Sequence, residues 1–303
     1  MNRTGKALCY VTISICLIVI IFVVLISRPY KTGIDKSTYE PLHYIFQQSQ
    51  KIPKVIHQIF YQDGKKNRSG NSTVKLPNKF AKIREHLQKQ NPEYTFKLYD
   101  GDDMDDFVKT YYPEYYESYS SIADEYMIAK GDFFRYMIIY HYGGVYFDLK
   151  SGHKTPLRDL IKPDDEMIIP TWNNIGFIFP RVGEAAQWVC LSIPRHPMLK
   201  LVLDEVNNRL KKSTKSDYGW MGVFRLTGPL MYTSIVNKHK GLIPNIRYIK
   251  QPNDFVYNYM EKNDLEHLSC TLYSITGIGY CKHKMGKKRY TLETSPVVKQ
   301  KVN

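Results

Sequence analysis

A three-layer α/β domain with a mainly parallel sheet, set behind one N-terminal membrane-spanning helix, is the fold class this 303-residue sequence predicts. Three observations carry the prediction. Ala7 to Ile26 is an unbroken run of apolar and small residues, long enough at helical rise to cross about 30 Å of hydrocarbon. Behind it, short strand-like runs alternate with helical patterns, as in domains built on a mainly parallel sheet. A helical stretch with Asp132 and Arg135 then enters Tyr142-Gly-Gly-Val-Tyr-Phe-Asp148-Leu-Lys150. There a Gly-Gly turn and a short strand deliver a carboxylate to a strand's C-terminal end, where open α/β sheets bind ligands.

The span reads as an uncleaved signal anchor over 7–26, with a cytosolic tail at 1–6 and a stem at 27–51. A cleaved signal peptide has a shorter apolar region, about 7–15 residues, and a small-residue cleavage site. Phe22-Val-Val-Leu-Ile-Ser-Arg28 offers neither. Nearby charges leave orientation almost balanced, with Arg3 and Lys6 on the short side and Arg28 and Lys31 on the other. The sequons Asn67-Arg-Ser69 and Asn71-Ser-Thr73, in a polar stretch, favour a lumenal domain glycosylated at Asn67 and Asn71. Asn2-Arg-Thr4 lies too close to the anchor, on the opposite side, to count.

A formal charge of +14, from 43 Lys and Arg against 29 Asp and Glu, favours phosphates, anionic lipid headgroups and acidic glycans as partners. Nucleic acid is not expected as a partner: the basic residues are scattered, local clusters occur only at Lys65-Lys66, Lys211-Lys212 and Lys282 to Arg289, and no nucleic-acid-binding signature accompanies the membrane anchor. Of five cysteines, Cys9 and Cys16 fall in the span. Cys190, in the apolar run Trp188-Val-Cys-Leu-Ser192, reads as a buried thiol. Cys270 and Cys281 are close enough to pair in an oxidising lumen, a question spacing leaves open.

Within the domain, expected over 52–290 with a C-terminal tail at 291–303, Ile52-Pro-Lys-Val-Ile-His-Gln-Ile-Phe60 reads as a buried strand. A helix over Lys79 to Asn91 and a strand over Tyr94 to Tyr99 complete a β-α-β unit. Asp100-Gly-Asp-Asp103 suits the N-cap of a helix over Met104 to Tyr111. Ala123 to Tyr142 keeps apolar residues at helical spacing and is stopped by Gly143, so it reads as a long core helix. On it Asp132 and Arg135 share one surface, which by itself describes an i, i+3 ion pair. Apolar runs follow at Met167 to Pro170, Ile175 to Pro180 and Trp188 to Ser192. After them come a helix over Met198 to Lys212 and another opened by Leu226-Thr-Gly-Pro229 and running to Val236. Asp164-Asp165 reads as a turn.

Taken in order, Ile52-Pro-Lys-Val-Ile-His-Gln-Ile-Phe60, Asn91-Pro-Glu-Tyr94 with Leu98-Tyr-Asp100, Lys130-Gly-Asp-Phe-Phe-Arg-Tyr136, Tyr142 to Asp148 and Thr227-Gly-Pro229 resemble the sugar-binding DXD glycosyltransferases of family 32. The resemblance covers about Ile52 to Val236, and the order of the motifs makes it specific. That family includes fungal Golgi mannosyltransferases, inositol-phosphorylceramide mannosyltransferases and animal galactosyl- and N-acetylglucosaminyltransferases, with distant kinship to clostridial glucosylating toxins.

The resemblance implies a GT-A-like nucleotide-sugar-binding domain in a single-pass type II membrane protein of the Golgi or another secretory membrane. It implies transfer of a mannose- or galactose-type hexose from a GDP- or UDP-sugar to a glycan or glycolipid acceptor, with retention at the anomeric carbon. Asp132 and Arg135 would contact the donor, with Tyr136, Gly143 and Gly144 beside it. Asp148 would be the first carboxylate of the DXD motif, touching ribose and a bound Mn²⁺ or Mg²⁺.

The departure is Lys150, which stands where the family has its second Asp. A diphosphate leaving group needs positive charge where negative charge develops, and Lys150 supplies an ammonium in place of a metal ligand. Weaker metal binding, metal-independent transfer and an inactive relative that only binds sugar nucleotide or glycan all remain open. His57 reads either as a lining of the nucleotide pocket or as a satisfied core histidine. His283, in its basic run, reads either as part of a loop closing over the diphosphate or as a solvated face, and Trp172-Asn-Asn174, beside a strand end, as a platform for the acceptor or as core.

Overall fold

The computed structural model describes residues 52–61, 76–172, 183–250, 255–256 and 293–299. All of these except Gly183 belong to one compact unit, which comprises Gln47–Asn173 and Glu184–Asn303; the other unit comprises Met1–Phe46 and Asn174–Gly183. The expected span at 7–26, the stem, Asn67, Asn71, the Ile175 to Pro180 run, Cys270, Cys281 and the basic run at 282–289 lie outside the described residues. Among the described residues, no helix is long and apolar enough to cross a membrane.

The first β-α-β unit forms as the sequence predicts. Strand β1 is Val55–Ile59, helix α1 is Asn78–Gln90 and strand β2 is Thr95–Tyr99, parallel to β1 in the register His57↔Lys97. Asp100 then caps helix α2, Gly101–Tyr111: its Oδ1 accepts the N–H groups of Asp102 (3.0 Å) and Asp103 (2.9 Å), while Asp103 Oδ2 accepts the Asp100 N–H (3.0 Å). This reciprocal box satisfies orphan helix-end donors, the role expected of the acidic cluster.

Helix α3, Pro113–Ser121, was not anticipated; its aromatic and serine content carries no clear period, and Pro113 at its first turn is the start signal. The expected long helix divides into a 3₁₀ turn, Asp124–Tyr126, and helix α4, Met127–Tyr142, buried on every side from Ala129 to Tyr140. Gly143 stops α4 at φ +66°, and Gly144 follows at φ +92°. Both approaches are too close for a side chain: a Cβ on Gly143 would lie 2.7 Å from Pro194, and one on Gly144 would lie 2.6 Å from the Val55 carbonyl.

Strand β3, Gly144–Phe147, lies parallel beside β1. The chain continues through β4 (Gly152–His153), the short helix α5 (Leu157–Leu160), β5 (Met167–Trp172), β6 (Glu184–Ala185) and β7 (Val189–Ser192). Helices α6 (Pro197–Lys211), α7 (Gly219–Leu226) and α8 (Pro229–His239) follow, then β8 (Ile246–Lys250) and β9 (Phe255–Val256).

The main sheet runs β2-β1-β3-β7-β5-β6, with β8 paired to β5. It is mixed rather than mainly parallel. β7 is antiparallel to both β3 and β5, β6 is antiparallel to β5, and β8 is parallel to β5. Strand β7 is short, and length and apolar content cannot report direction. Alternate residues separate two cores. Ile59, Tyr146, Met167, Ile169 and Cys190 face α4, α6 and α8, whereas Ile56, Val145, Phe147, Ile168, Val189 and Leu191 face Leu157, Leu160, Trp188 and Phe255.

Within the expected C-terminal tail, residues 293–299 pack against the domain. Val297 is fully buried, and bridges join Ile122 to Val298 and Tyr218 to Pro296.

Candidate active site at the carboxyl edge of the sheet

Because β1, β2 and β3 run parallel, residues that follow them emerge along one edge, and Asp148 is the first residue past β3. β7 runs the other way, so the residues that precede it arrive at that same edge. The Asp148 N–H donates to Trp188 O at 3.0 Å, which brings Gln187 beside the carboxylate. Helix α4 crosses this region with Asp132 and Arg135, and the C-cap of α7 supplies Thr227.

Arg135 is the hub. Its Nη2 lies 2.9 Å from Asp132 Oδ1 and its Nη1 3.3 Å from Asp148 Oδ1; Nη1 also donates to Gln187 O at 3.1 Å. The guanidinium carbon sits 4.8 Å from the centre of the Tyr146 ring, in cation–π contact. Tyr146 donates its hydroxyl to Asp148 Oδ1 at 2.8 Å. Asp132 is further held by Thr227 Oγ1 on Oδ2 (3.0 Å) and by Gln187 Nε2 on Oδ1 (3.4 Å). The i, i+3 pair read from the sequence is present, but deeply buried and shared with a second carboxylate.

Electrostatics follow from this burial. Burial pushes the Asp132 carboxyl up to about 6, resisted by Arg135 and the Thr227 hydroxyl and reinforced by Asp148. Burial opposes the charge on Arg135, yet Tyr146, Asp148 and Asp132 outweigh it and hold the guanidinium protonated. Burial also keeps Tyr146 a neutral phenol, so it serves as a donor. The site therefore holds one cation between two carboxylates. Asp132 is nearly sealed, whereas the side chain of Asp148 is 19% exposed and faces the edge.

The remaining expected site residues are placed as follows. Tyr136 is fully buried; its hydroxyl donates to Gln187 Oε1 and lies 3.1 Å from Thr227 O, and its ring stacks on Tyr232 at 5.5 Å. It supports the Gln187 side chain and the Thr227 backbone behind Asp132. Gly143 and Gly144 sit at the start of β3, about 13 Å from its exit at strand rise. Their close contacts with Pro194, Pro53 and Val55 account for both glycines without a ligand.

His57 is fully buried, with Nδ1 2.9 Å from Tyr99 Oη and Nε2 3.2 Å from Gly143 O, which is the satisfied-core reading. Burial lowers its pKa to about 4, partly offset by the bond to Gly143 and deepened by Lys97. Lys150 lies half-buried in the turn after Asp148. Cys190 is a buried free thiol pushed up to about 12. Asp165, expected only in a turn, holds Arg247 through both carboxylate oxygens at 2.7 and 2.6 Å.

Sequence reasoning missed Tyr146, Gln187 and Tyr61. The inward phase of β3 marks Tyr146, and a lone Gln in Ala185-Ala-Gln-Trp188 is a faint signal for a buried polar partner. Tyr61, just past β1, approaches Gly131, where a Cβ would stand 3.4 Å from its ring.

An expected Mn²⁺ or Mg²⁺ can be tested against these donors. Asp148 Oδ1 is already engaged by Tyr146 and Arg135, and the next position of a DXD pattern is Lys150. Among the described residues, no three His, Cys, Asp or Glu side chains gather as a metal site. Among the described residues, Asp148 alone presents a carboxylate to the edge, and its Oδ1 is already engaged, so they offer a divalent cation a sparse ligand set.

Residues 77–168 match the family described as "Glycosyltransferase sugar-binding region containing DXD motif". A mannosyl phosphorylinositol ceramide synthase of Saccharomyces cerevisiae is 29% identical over 63% of this chain and 44% of its own length. Inositol phosphoceramide mannosyltransferase 2 of Schizosaccharomyces pombe is 25% identical over 64% and 49%. An initiation-specific alpha-1,6-mannosyltransferase of Candida albicans is 25% identical over 69% and 59%. The chain thus spans about half the length of the curated relatives it matches. A solved PaToxG glycosyltransferase superposes over 63% of this chain and 70% of its own with a TM-score of 0.45 and 15% identity, too low a likeness to define the fold.

Proposed function

We propose that this chain, which belongs to the glycosyltransferases whose sugar-binding region contains a DXD motif, transfers a mannosyl residue from a nucleotide sugar to a glycolipid or glycan acceptor on a GT-A-like domain. The observation that carries the reading is the buried Asp132–Arg135–Asp148 cluster at the carboxyl edge of the parallel strands. The names of the relatives favour mannose over galactose and an inositol phosphoceramide as acceptor. The apolar run 7–26 and the sequons at Asn67 and Asn71 support a type II anchor, with the domain in the lumen of the Golgi or another secretory compartment.

In this mechanism Asp148, the carboxylate that faces the edge, accepts hydroxyls of the donor, and Asp132, sealed behind it, fixes the orientation of Arg135. Arg135 holds both carboxylates in register and stays charged throughout. Its planar fork suits two partners at once, which is why Lys would not replace it. Negative charge that builds on the diphosphate as the glycosidic bond breaks is met by the Lys150 ammonium at the turn after Asp148. Preorganised charge of this kind is commonly the largest catalytic term. No protein nucleophile is assigned.

Hydrolysis of GDP-mannose, compared with UDP-galactose and UDP-N-acetylglucosamine, with and without EDTA, tests the reading. The expected result is slow release of mannose, lost in Asp132→Asn and Asp148→Asn. A parent that leaves every donor intact sinks it. The second reading is a sugar-nucleotide-binding protein without turnover, favoured by Lys150 in the place of a carboxylate. Tight donor binding with no hydrolysis would establish it.

A further inference from the structure

Residues 293–299 cross the domain between two stretches far apart in sequence. Val297 is bonded on both edges: its N–H donates to Asp217 O at 2.8 Å, and its own carbonyl accepts the Ala123 N–H at 2.8 Å. Lys299 N–H donates to Ser121 O at 2.7 Å. Tyr126 fastens the crossing from beneath: its hydroxyl donates to Ser295 O at 2.6 Å and accepts the Gly219 N–H at 2.8 Å. The Val297 side chain fills the space over Gly222, where an added Cβ would stand 2.9 Å from Cγ2.

The stretches so joined are the approaches to α4 and α7. Asp217 and Gly219 sit at the start of α7, and Ala123 and Tyr126 immediately precede α4. Beyond these tied ends, α4 carries Asp132 and α7 ends at Thr227, and the two meet through the 3.0 Å bond from Thr227 Oγ1 to Asp132 Oδ2. Packed helices move as rods rather than bending locally. Where their tied ends stand therefore decides whether hydroxyl and carboxylate meet, and a misplacement of about 1 Å at a catalytic group is enough to cost rate.

We infer that the strap formed by residues 295–298, working through Val297 and Tyr126, positions Thr227 on Asp132 and so belongs to the frame of the donor site. Its catalytic consequence rests on the glycosyltransferase reading above; its mechanical content does not. Val297 and Tyr126 are positioning residues, since neither is bonded to Asp132 itself.

The experiment uses the full chain carrying Tyr126→Phe, Thr227→Val and both together, with Val297→Ala as a second way to loosen the strap. Tyr126→Phe keeps the buried ring and removes only the two bonds of the hydroxyl. At a temperature well below every melting point, donor hydrolysis should fall about tenfold in kcat with KM little changed in each single variant, the loss of one positioned hydrogen bond. The double variant should be no worse than the poorer single, because both changes break one linkage.

Hydrogen exchange provides a readout that needs no activity. In Tyr126→Phe and Val297→Ala, amides of residues 219–228 and 127–135 should exchange several-fold faster while those of Pro197–Lys211 hold. If the parent hydrolyses no donor, the functional reading fails and exchange alone decides. A lower melting point with parental kcat, costs that add in the double variant, or exchange that rises uniformly across the domain would each overturn the positioning role.

Discussion

Acidification should unfold this domain in a window set by three buried histidines. His57, His153 and His196 are held neutral, each lowered to about 4 chiefly by burial. The bonds His57 makes to Gly143 and His153 to Thr155 raise their values, and Lys97 and His86 lower them, without overturning that effect. His153 lies 2.9 Å from Asn91 Nδ2 and 2.8 Å from Thr155 O, and His196 Nδ1 accepts the Met198 N–H at 3.2 Å to cap α6. In the unfolded chain each titrates near the ordinary histidine value of 6.5.

A folded pKa below the unfolded one means that the unfolded state takes up protons first. The stabilisation is complete above pH 6.5 and is lost as pH falls toward 4. At pH 5 each histidine costs about 2 kcal/mol by linkage, about 6 in all. Asp132 works in the opposite sense: raised to about 6, it favours the folded state as pH falls and returns about 1.4 kcal/mol at pH 5. The net loss of about 5 kcal/mol is comparable to the whole stability of a typical domain. Urea unfolding followed by tryptophan fluorescence at pH 7, 6 and 5 measures it. His196→Asn keeps a capping acceptor and removes one titration, so it should recover about 2 kcal/mol at pH 5. A stability flat to within about 1 kcal/mol from pH 7 to 5, or an acid slope unchanged by His196→Asn, refutes the reasoning.

Replacing Arg135 with Met should cost about 3–5 kcal/mol in thermal unfolding, since it leaves two carboxylates facing each other unpaired. Adding Asp132→Asn to that variant should restore part of the loss. Gly144→Ala should remove folded protein from expression trials, because φ +92° and a carbonyl 2.6 Å from the new Cβ cannot both be accommodated. Donor hydrolysis by the parent should decline below about pH 6 as Asp132 protonates, and a pH–rate profile flat from about pH 7 to 5 would refute that assignment. Lys150→Asp, which completes a DXD pattern, should raise Mn²⁺ affinity by calorimetry at least tenfold; unchanged affinity would show that the metal deficit lies elsewhere.

Local chemistry was legible wherever it is written in a few consecutive residues. The Asp100 box, the Gly143 stop and the burial of Cys190 all follow from such signals. Asp132, Arg135 and Asp148 could be nominated together only through the family resemblance, since helix spacing alone describes an i, i+3 ion pair. Direction was not legible: nothing in Val189-Cys-Leu-Ser192 says that it runs against its neighbours, and that reversal brings Gln187 to the site. Nor could composition reveal that Val297 is core, because a short apolar pair in a polar stretch gains its partners only from segments far upstream. Gly143, Gly144 and His57 were nominated for a ligand because a turn and a histidine near a strand carry two meanings. Distances to Pro194, Val55 and Tyr99 give each a packing partner that the sequence could not show.

The strap also has a consequence for the order in which the chain can mature. Val297 joins residues 123 and 217, so the two stretches cannot be locked until polypeptide 174 and 80 residues further on has been made. At about 5–20 residues per second of synthesis, the interval after Ala123 emerges is about 9–35 s. During that time the approaches to α4 and α7 lack their shared strand, and an apolar slot over Gly222 stands open. We predict that nascent chains stalled before residue 297 remain open to protease near residues 121–126 while later stalls do not. Equal protection at both lengths would show that the core closes without the strap.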